Sequence, residues 1–174
     1  EKVLGVAKEA RLPPYDGARF RETAGTSVAW PVRDGQRTPG KVAIFSTCYV
    51  NYNEPGIGHD LVRILAHNEV PFRTVDKEAC CGMPKLELGD LTRVEKYKNA
   101  NLPVLIEAVN DGWDLIAPIP SCVLMFKQEL PLMFPDDAEL QKVKRAFFDP
   151  FDYLMHRNAA GLFKTDFRHE LGRI

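Results

Sequence analysis

KVAIFSTCYVNYNEPG (41–56) decides how the rest of the chain is read. Its opening, KVAIFS (41–46), is a short apolar run rich in β-formers, the pattern of a buried strand. A polar loop follows and carries Cys48. Beyond it, IGHDLVRILAHNEV (57–70) sets Ile57, Leu61, Ile64 and Leu65 on one helical face. PFRTVD (71–76) reads as a second strand and WDLIAPI (113–119) as a third. Between them a long helical segment is expected over 91–110, with Pro103 as a point of interruption and Gly112 as its C-cap. VLMFKQELPLMF (123–134) reads as a helix that Pro131 bends or ends. The β-α-β-α-β-α alternation predicts an α/β fold: a small open parallel sheet with helices on both faces.

The flanks read differently. Residues 1–40 are punctuated by Pro13, Pro14, Gly17, Pro31, Gly35, Pro39 and Gly40, and predict an irregular extension or linker with one short helix near its start. After Pro135, Asp136 or Asp137 can cap a helix running to about Phe148, and Pro150 can open another that Gly161 closes. The expected organisation is therefore an extension over 1–40, a cysteine-bearing domain over 41–135 and a helical segment over 136–174 packed on it. The last dozen residues are polar and indistinct. A net charge of -1 over 174 residues gives no reason to expect nucleic acid or an anionic membrane as partner. The longest nearly apolar run, 115–126, is too short and too broken to span a bilayer. The first residue is Glu1, as expected of a fragment or processed form.

The chain has four cysteines. Without a secretory signal, they point to a reducing compartment and to thiols kept for chemistry. Cys80 and Cys81 are adjacent, with Cα atoms about 3.8 Å apart, too close for the usual disulfide. Cys48 follows the first expected strand, Cys80 and Cys81 the second, Cys122 the third. In a parallel sheet all such connections leave at the carboxyl edge, where ligands bind. Four buried structural cysteines would instead fall mid-strand or on helix faces. The pattern therefore predicts thiols converging on one site, and converging thiolates repel unless a cation holds them. Soft sulfur selects zinc, copper(I) or iron–sulfur clusters. Gly82 allows a tight turn and frees its amide to approach sulfur. Two adjacent residues chelate one tetrahedral ion poorly, but they can reach different irons of a cluster. Zinc in a structural domain and a reversible thiol–disulfide couple stand as the alternatives.

CYVNYNEPGIG, EACCGMPKLELGD and IPSCVLMFKQELP together resemble the cysteine-rich CCG domain. That domain occurs in B-type subunits of heterodisulfide reductase and in iron–sulfur subunits of glycolate oxidase, lactate-utilisation enzymes and anaerobic glycerol-3-phosphate dehydrogenase. The resemblance covers roughly 41–135. It implies an electron-transfer module in which Cys48, Cys80, Cys81 and Cys122 ligate one iron–sulfur cluster, of the 4Fe–4S type by ligand count. Gly82 would lie against that cluster. The implied partners are an upstream ferredoxin-like or flavin-containing domain or subunit and a second CCG half. The implied location is cytoplasmic, at the inner face of a membrane through a partner and without a transmembrane segment. One departure stands out: Ile119 occupies the place of the first cysteine of the family's closing Cys-x-x-Cys. Full members can hold a noncubane cluster with five cysteines, so the cluster type here is open, and Ser121 is a weak substitute ligand.

Other motifs carry less. Gly56-x-Gly58, followed by Asp76, imitates a dinucleotide fingerprint. Leu61 stands in place of the third glycine, however, and the glycines lie well past the strand end. Gly58 is expected to permit a close approach to the cluster. His59 reads as a solvated residue in a first helical turn, and Tyr49 and Tyr52 as shields of the site or as packing. No catalytic triad, P-loop or paired-carboxylate site is legible.

Overall fold

The computed structural model describes residues 14–166. Among them, β1 (Val42–Ile44), β2 (Phe72–Thr74), β3 (Asp114–Ile116) and β4 (Phe147–Phe148) form a parallel sheet in the order β2-β1-β3-β4. The register aligns Val42 with Phe72 and with Asp114, and Leu115 with Phe147. The chain passes from β1 outward to β2 and then back across β1 to β3, so the order reverses between β1 and β3. The crevice at such a reversal is where open α/β sheets bind ligands.

Strand side chains alternate between two hydrophobic clusters. Ala43, Phe45, Leu115, Ala117 and Phe147 face α5 (Leu91–Asn110), α8 (Ala138–Ala146) and the helical run from α6 (Pro120–Leu124) to α7 (Leu130–Met133). Phe126 stacks on Phe147 at 4.9 Å and meets Phe45 edge-on at 5.1 Å. Val42, Ile44, Ile116 and Phe148 face α1 (Phe20–Thr23), α3 (Pro55–His67) and α9 (Pro150–Ala159). Both faces of the sheet are therefore covered, as the alternation predicts. The remaining helices, α2 (Cys48–Tyr52) and α4 (Met83–Glu87), are single turns at the carboxyl edge. Among the described residues no helix is long and apolar enough to cross a membrane.

Several details differ from the sequence reading. The helix expected to run to Phe148 ends at Ala146, and the chain then supplies β4. Phe147 and Phe148 enter opposite hydrophobic clusters, which only a strand allows for adjacent residues. Pro131 does not end its helix, because a π-helical turn over Met125–Glu129 precedes it. The Leu130 N–H bonds to Met125 O in that turn, and the wider turn accommodates the proline ring. Pro103 lies inside an unbroken α5. On α3 the buried residues are Pro55, Gly58, Leu61 and Leu65, whereas Ile57 and Ile64 turn outward.

The segment before the sheet is fastened to it. Phe20 is fully buried, and Gly58 is what admits it: a methyl group on Gly58 would sit 2.5 Å from the Phe20 ring. Gly58 thus serves helix packing rather than approach to the cysteines. Ser27 pairs antiparallel with Phe72 and covers the outer edge of β2. A short helix at the very start of the chain, and the last residues, lie outside the described range.

Candidate metal centre

Each cysteine sits where a strand hands over to a helix. Thr47, at φ 65, turns the chain sharply after β1 and caps α2, its hydroxyl accepting from Val50 N at 3.2 Å. Cys48 is therefore the first residue of α2 and lies exposed at the sheet edge. After β2, Gly82 at φ 99 starts α4 in a left-handed conformation that favours glycine. Asn101, fully buried on α5, clamps the loop before it: Ala79 N donates to Asn101 Oδ1 at 2.7 Å and Asn101 Nδ2 donates to Cys80 O at 3.0 Å. Cys122 lies in the first turn of α6, next to the β1/β3 reversal.

The four sulfurs form one group. Those of Cys81 and Cys122 are 3.2 Å apart and almost fully buried. Cys80 hydrogen-bonds both Cys48 and Cys81, and Cys122 is within electrostatic reach of Cys48. Hydrogen bonds from Cys48 and then Cys81, helped by the Gly82 N–H and the Lys85 charge, pull the Cys80 thiol down to about 2. The Cys48 thiol is pushed up, first by its bond to Cys80 and then by burial. Cys81 is pushed up by Cys122, then Cys80, then burial. One thiolate at Cys80 is thus solvated by neighbouring S–H groups, and the group titrates as a unit.

Backbone N–H groups at helix starts point at three of the sulfurs: Tyr49 N at Cys48, Gly82 N at Cys80 and Met83 N at Cys81. An all-sulfur donor set supported by amide N–H donors is what an iron–sulfur centre requires. The open, Cys48–Cys80 side of the group lines a cleft of about 290 Å³ with Arg21, Thr47, Asn51 and Glu78. On these counts the residues fit such a centre. They fit a single zinc less well: among the described residues no three His, Cys, Asp or Glu side chains gather around one ion position. Tetrahedral zinc sets its sulfurs about 3.8 Å apart, wider than the Cys81–Cys122 contact.

The model profile of a family described as a cysteine-rich domain (CCG) matches residues 42–127. Residues 42–127 are a cysteine-rich domain of that family. The chain is also similar to the C-type subunit of anaerobic glycerol-3-phosphate dehydrogenase from Escherichia coli (strain K12), 29% identical over 132 residues, which is 75% of this chain and 32% of that protein. Lactate utilization protein A of Bacillus cytotoxicus is 34% identical over 107 residues, 59% of this chain and 43% of that protein. The chain thus spans less than half the length of either relative. No solved structure matches it.

The remaining residues singled out in the sequence sit apart from the sulfurs or beside them. Ile119 is the N-cap of α6 and packs against both hydrophobic clusters, so apolar contact occupies the place of the family's extra thiol. Ser121 is exposed. His59 bonds Thr23 Oγ1 at 3.2 Å and meets the Phe20 ring, which ties it to α1 and not to the cysteines. Tyr52 lines the cleft, under the Arg19 guanidinium. The dinucleotide pattern has no structural counterpart, since α2 intervenes between β1 and Gly56.

Sequence reading missed the pair behind the cleft. The Glu78 side chain is 2% exposed, accepts from Ser46 N at 2.8 Å and lies 2.9 Å from Arg21 Nη2. The pair is ionic by distance, without hydrogen-bond alignment at Glu78 Oε1. Burial pushes the Glu78 carboxyl up to about 7 against the pull of Arg21 and the Ser46 and Thr47 amides. The only signal in the sequence was a glutamate placed just before the cysteine pair.

Proposed function

We propose that the chain is an iron–sulfur electron-transfer module of an oxidoreductase, with Cys48, Cys80, Cys81 and Cys122 holding one cluster. The observation that carries this reading is the contiguous group of four sulfurs drawn from three strand ends, with amide N–H donors at three of them. A bound cluster would supply one-electron transfer. The chain's own part is to hold the thiolates, orient them through the Tyr49, Gly82 and Met83 amides, and keep water from the Cys81–Cys122 side. Met125 and Tyr97, packed beside Gly82, help exclude it. Residues 41–135 would be the working unit, with 136–174 packed on it. The relative named as part of a dehydrogenase supports a place in an oxidoreductase beside a partner subunit. A ferredoxin-like or flavin-containing partner, a second cysteine-rich half and a position at the inner face of a membrane belong to the same proposal.

The test is anaerobic purification with a visible spectrum and assays of iron, zinc and acid-labile sulfide on one sample. Brown protein with iron and sulfide in near-equal amounts is expected, and Cys81→Ala should abolish the chromophore. Colourless protein with zinc and no sulfide would overturn the reading. The 3.2 Å Cys81–Cys122 contact favours a second reading, a reversible disulfide. There the two thiols would lose two protons and two electrons to a thiol–disulfide partner as the S–S bond forms. A metal-free sample in which that pair oxidises and reduces at a defined potential would support it.

A further inference from the structure

We propose that a cleft beside β4, on the far side of the sheet from β2, binds a phosphate-bearing ligand. The cleft has a volume of about 440 Å³ and is lined by Arg37, Lys127, Lys144, Arg145, Phe148, Asp152 and His156. That is within the range of small-molecule sites. Its cations come from four separate parts of the chain: the segment before β1, the π-helical turn, the end of α8, and α9. Lys144 and Arg145 lie in the last turn of α8, where basic residues complement the helix dipole. That account does not reach Arg37, Lys127 or His156.

Part of the lining is held in place. Phe148 forms the floor, with Lys127 Nζ 5.3 Å from its ring centroid and the His156 ring edge-on at 5.8 Å. Asp152 lies between them, its Oδ2 3.4 Å from Lys127 Nζ and its Oδ1 3.3 Å from His156 Nε2. The one acid of the cleft is thus already engaged. Among the described residues, the side chains of Arg37, Lys144 and Arg145 make no ion pair or hydrogen bond, so three permanent charges face the cleft uncompensated. A chain of net charge -1 concentrates here a field that suits a dianion better than a single carboxylate. Two of the three are arginines, whose planar forks match phosphate oxygens.

The ligand can be a free phosphate compound or a phospholipid headgroup, and the experiment separates them. The full chain is titrated with sodium phosphate and, at equal ionic strength, with sodium acetate, following backbone amide shifts by NMR. Saturable shifts confined to the cleft residues are expected with phosphate and not with acetate. The exposed double substitution Arg37→Ala/Arg145→Ala should weaken binding by about tenfold or more, about 1.4 kcal/mol per factor of ten. Arg63→Ala, an exposed arginine outside the cleft, should leave it unchanged. Circular dichroism checks that each variant is folded. Co-flotation with phosphatidic acid in phosphatidylcholine vesicles, competed by free phosphate and lost in the double variant, assigns the headgroup. Phosphate binding without flotation assigns a soluble ligand. No saturable response to either probe, or a response that the double variant retains, overturns the proposal.

Discussion

The two edges of the sheet each bury a carboxylate beside an arginine, and each pair fastens the segment before β1. At the carboxyl edge Arg21 on α1 meets Glu78, and the Arg21 amide donates to buried Asn51 at 3.0 Å. At the amino edge Asp114 accepts from Gly40 N at 3.3 Å, while buried Arg157 on α9 donates to Arg33 O and, at 3.5 Å, to Thr38 Oγ1. Burial pushes both carboxyls up to about 7. The neighbourhoods differ. Glu78 holds the Ser46 amide just before Cys48 and lies just before Cys80, so its fastening is also a strut between two cysteine loops. The amino-edge pair touches only scaffold. The same physical device therefore serves assembly at one end and assembly plus site geometry at the other.

This contrast can be broken by substitution. The largest stability loss is expected from Arg157→Ala, which leaves Arg33 O and Thr38 unpaired and Asp114 without its nearby cation. Removing one member of a buried charged set costs about 3 kcal/mol or more. Urea denaturation should show that loss, with iron per folded molecule unchanged. Glu78→Ala should cost about 2 kcal/mol, since it strands the Ser46 amide and the Arg21 guanidinium. Unlike Arg157→Ala, it should also accelerate iron loss to a chelator in the folded protein, and Glu78→Gln, which keeps an acceptor for Ser46, should recover part of the retention. If Glu78→Ala lowers stability but leaves iron retention untouched, the two edges are equivalent and the strut is no more than a fastening.

The sheet and its cysteines were legible because both are local signals. Each of β1, β2 and β3 announces itself as a short apolar run, and the chirality of parallel connections then fixes the edge at which Cys48, Cys80, Cys81 and Cys122 emerge. What stayed hidden depends on distant partners. Phe20 sits among prolines and glycines with no periodic companion, and its burial depends on the missing side chain at Gly58. Arg21, Glu78, Asn101 and Arg157 read as ordinary helix-surface residues until the fold brings their partners from far along the chain. β4 is too short for alternation to show, and two phenylalanines fit a helix equally well. The outward turn of Ile57 and Ile64 follows from the same cause, since α3 rotates to present Gly58 to Phe20.

The finest test uses pH at the amino edge, away from the thiols. Asp114 has an ordinary carboxyl in the unfolded chain and one pushed up to about 7 by burial in the folded one, against the pull of Gly40 N and Arg157. Between roughly pH 4 and 7 the folded state therefore holds a proton that the unfolded state has released. Its contribution to stability falls as pH rises through that window, by up to about 1.4 kcal/mol per pH unit. Glu78 acts with the same sign, so the wild-type curve alone does not separate them. Asp114→Asn does: the amide keeps an acceptor for Gly40 N but cannot ionise, so the difference between the two stability curves isolates Asp114. The variant should gain on the wild type steadily from about pH 4 to 7 and hold a constant margin above it. A difference flat across the window would mean that Asp114 ionises freely and that Arg157 supports the amino edge as a cation facing a carboxylate. In that event the Arg157→Ala loss should shrink in the Asp114→Asn background, and the amino edge would be an ion pair in the same sense as the carboxyl edge.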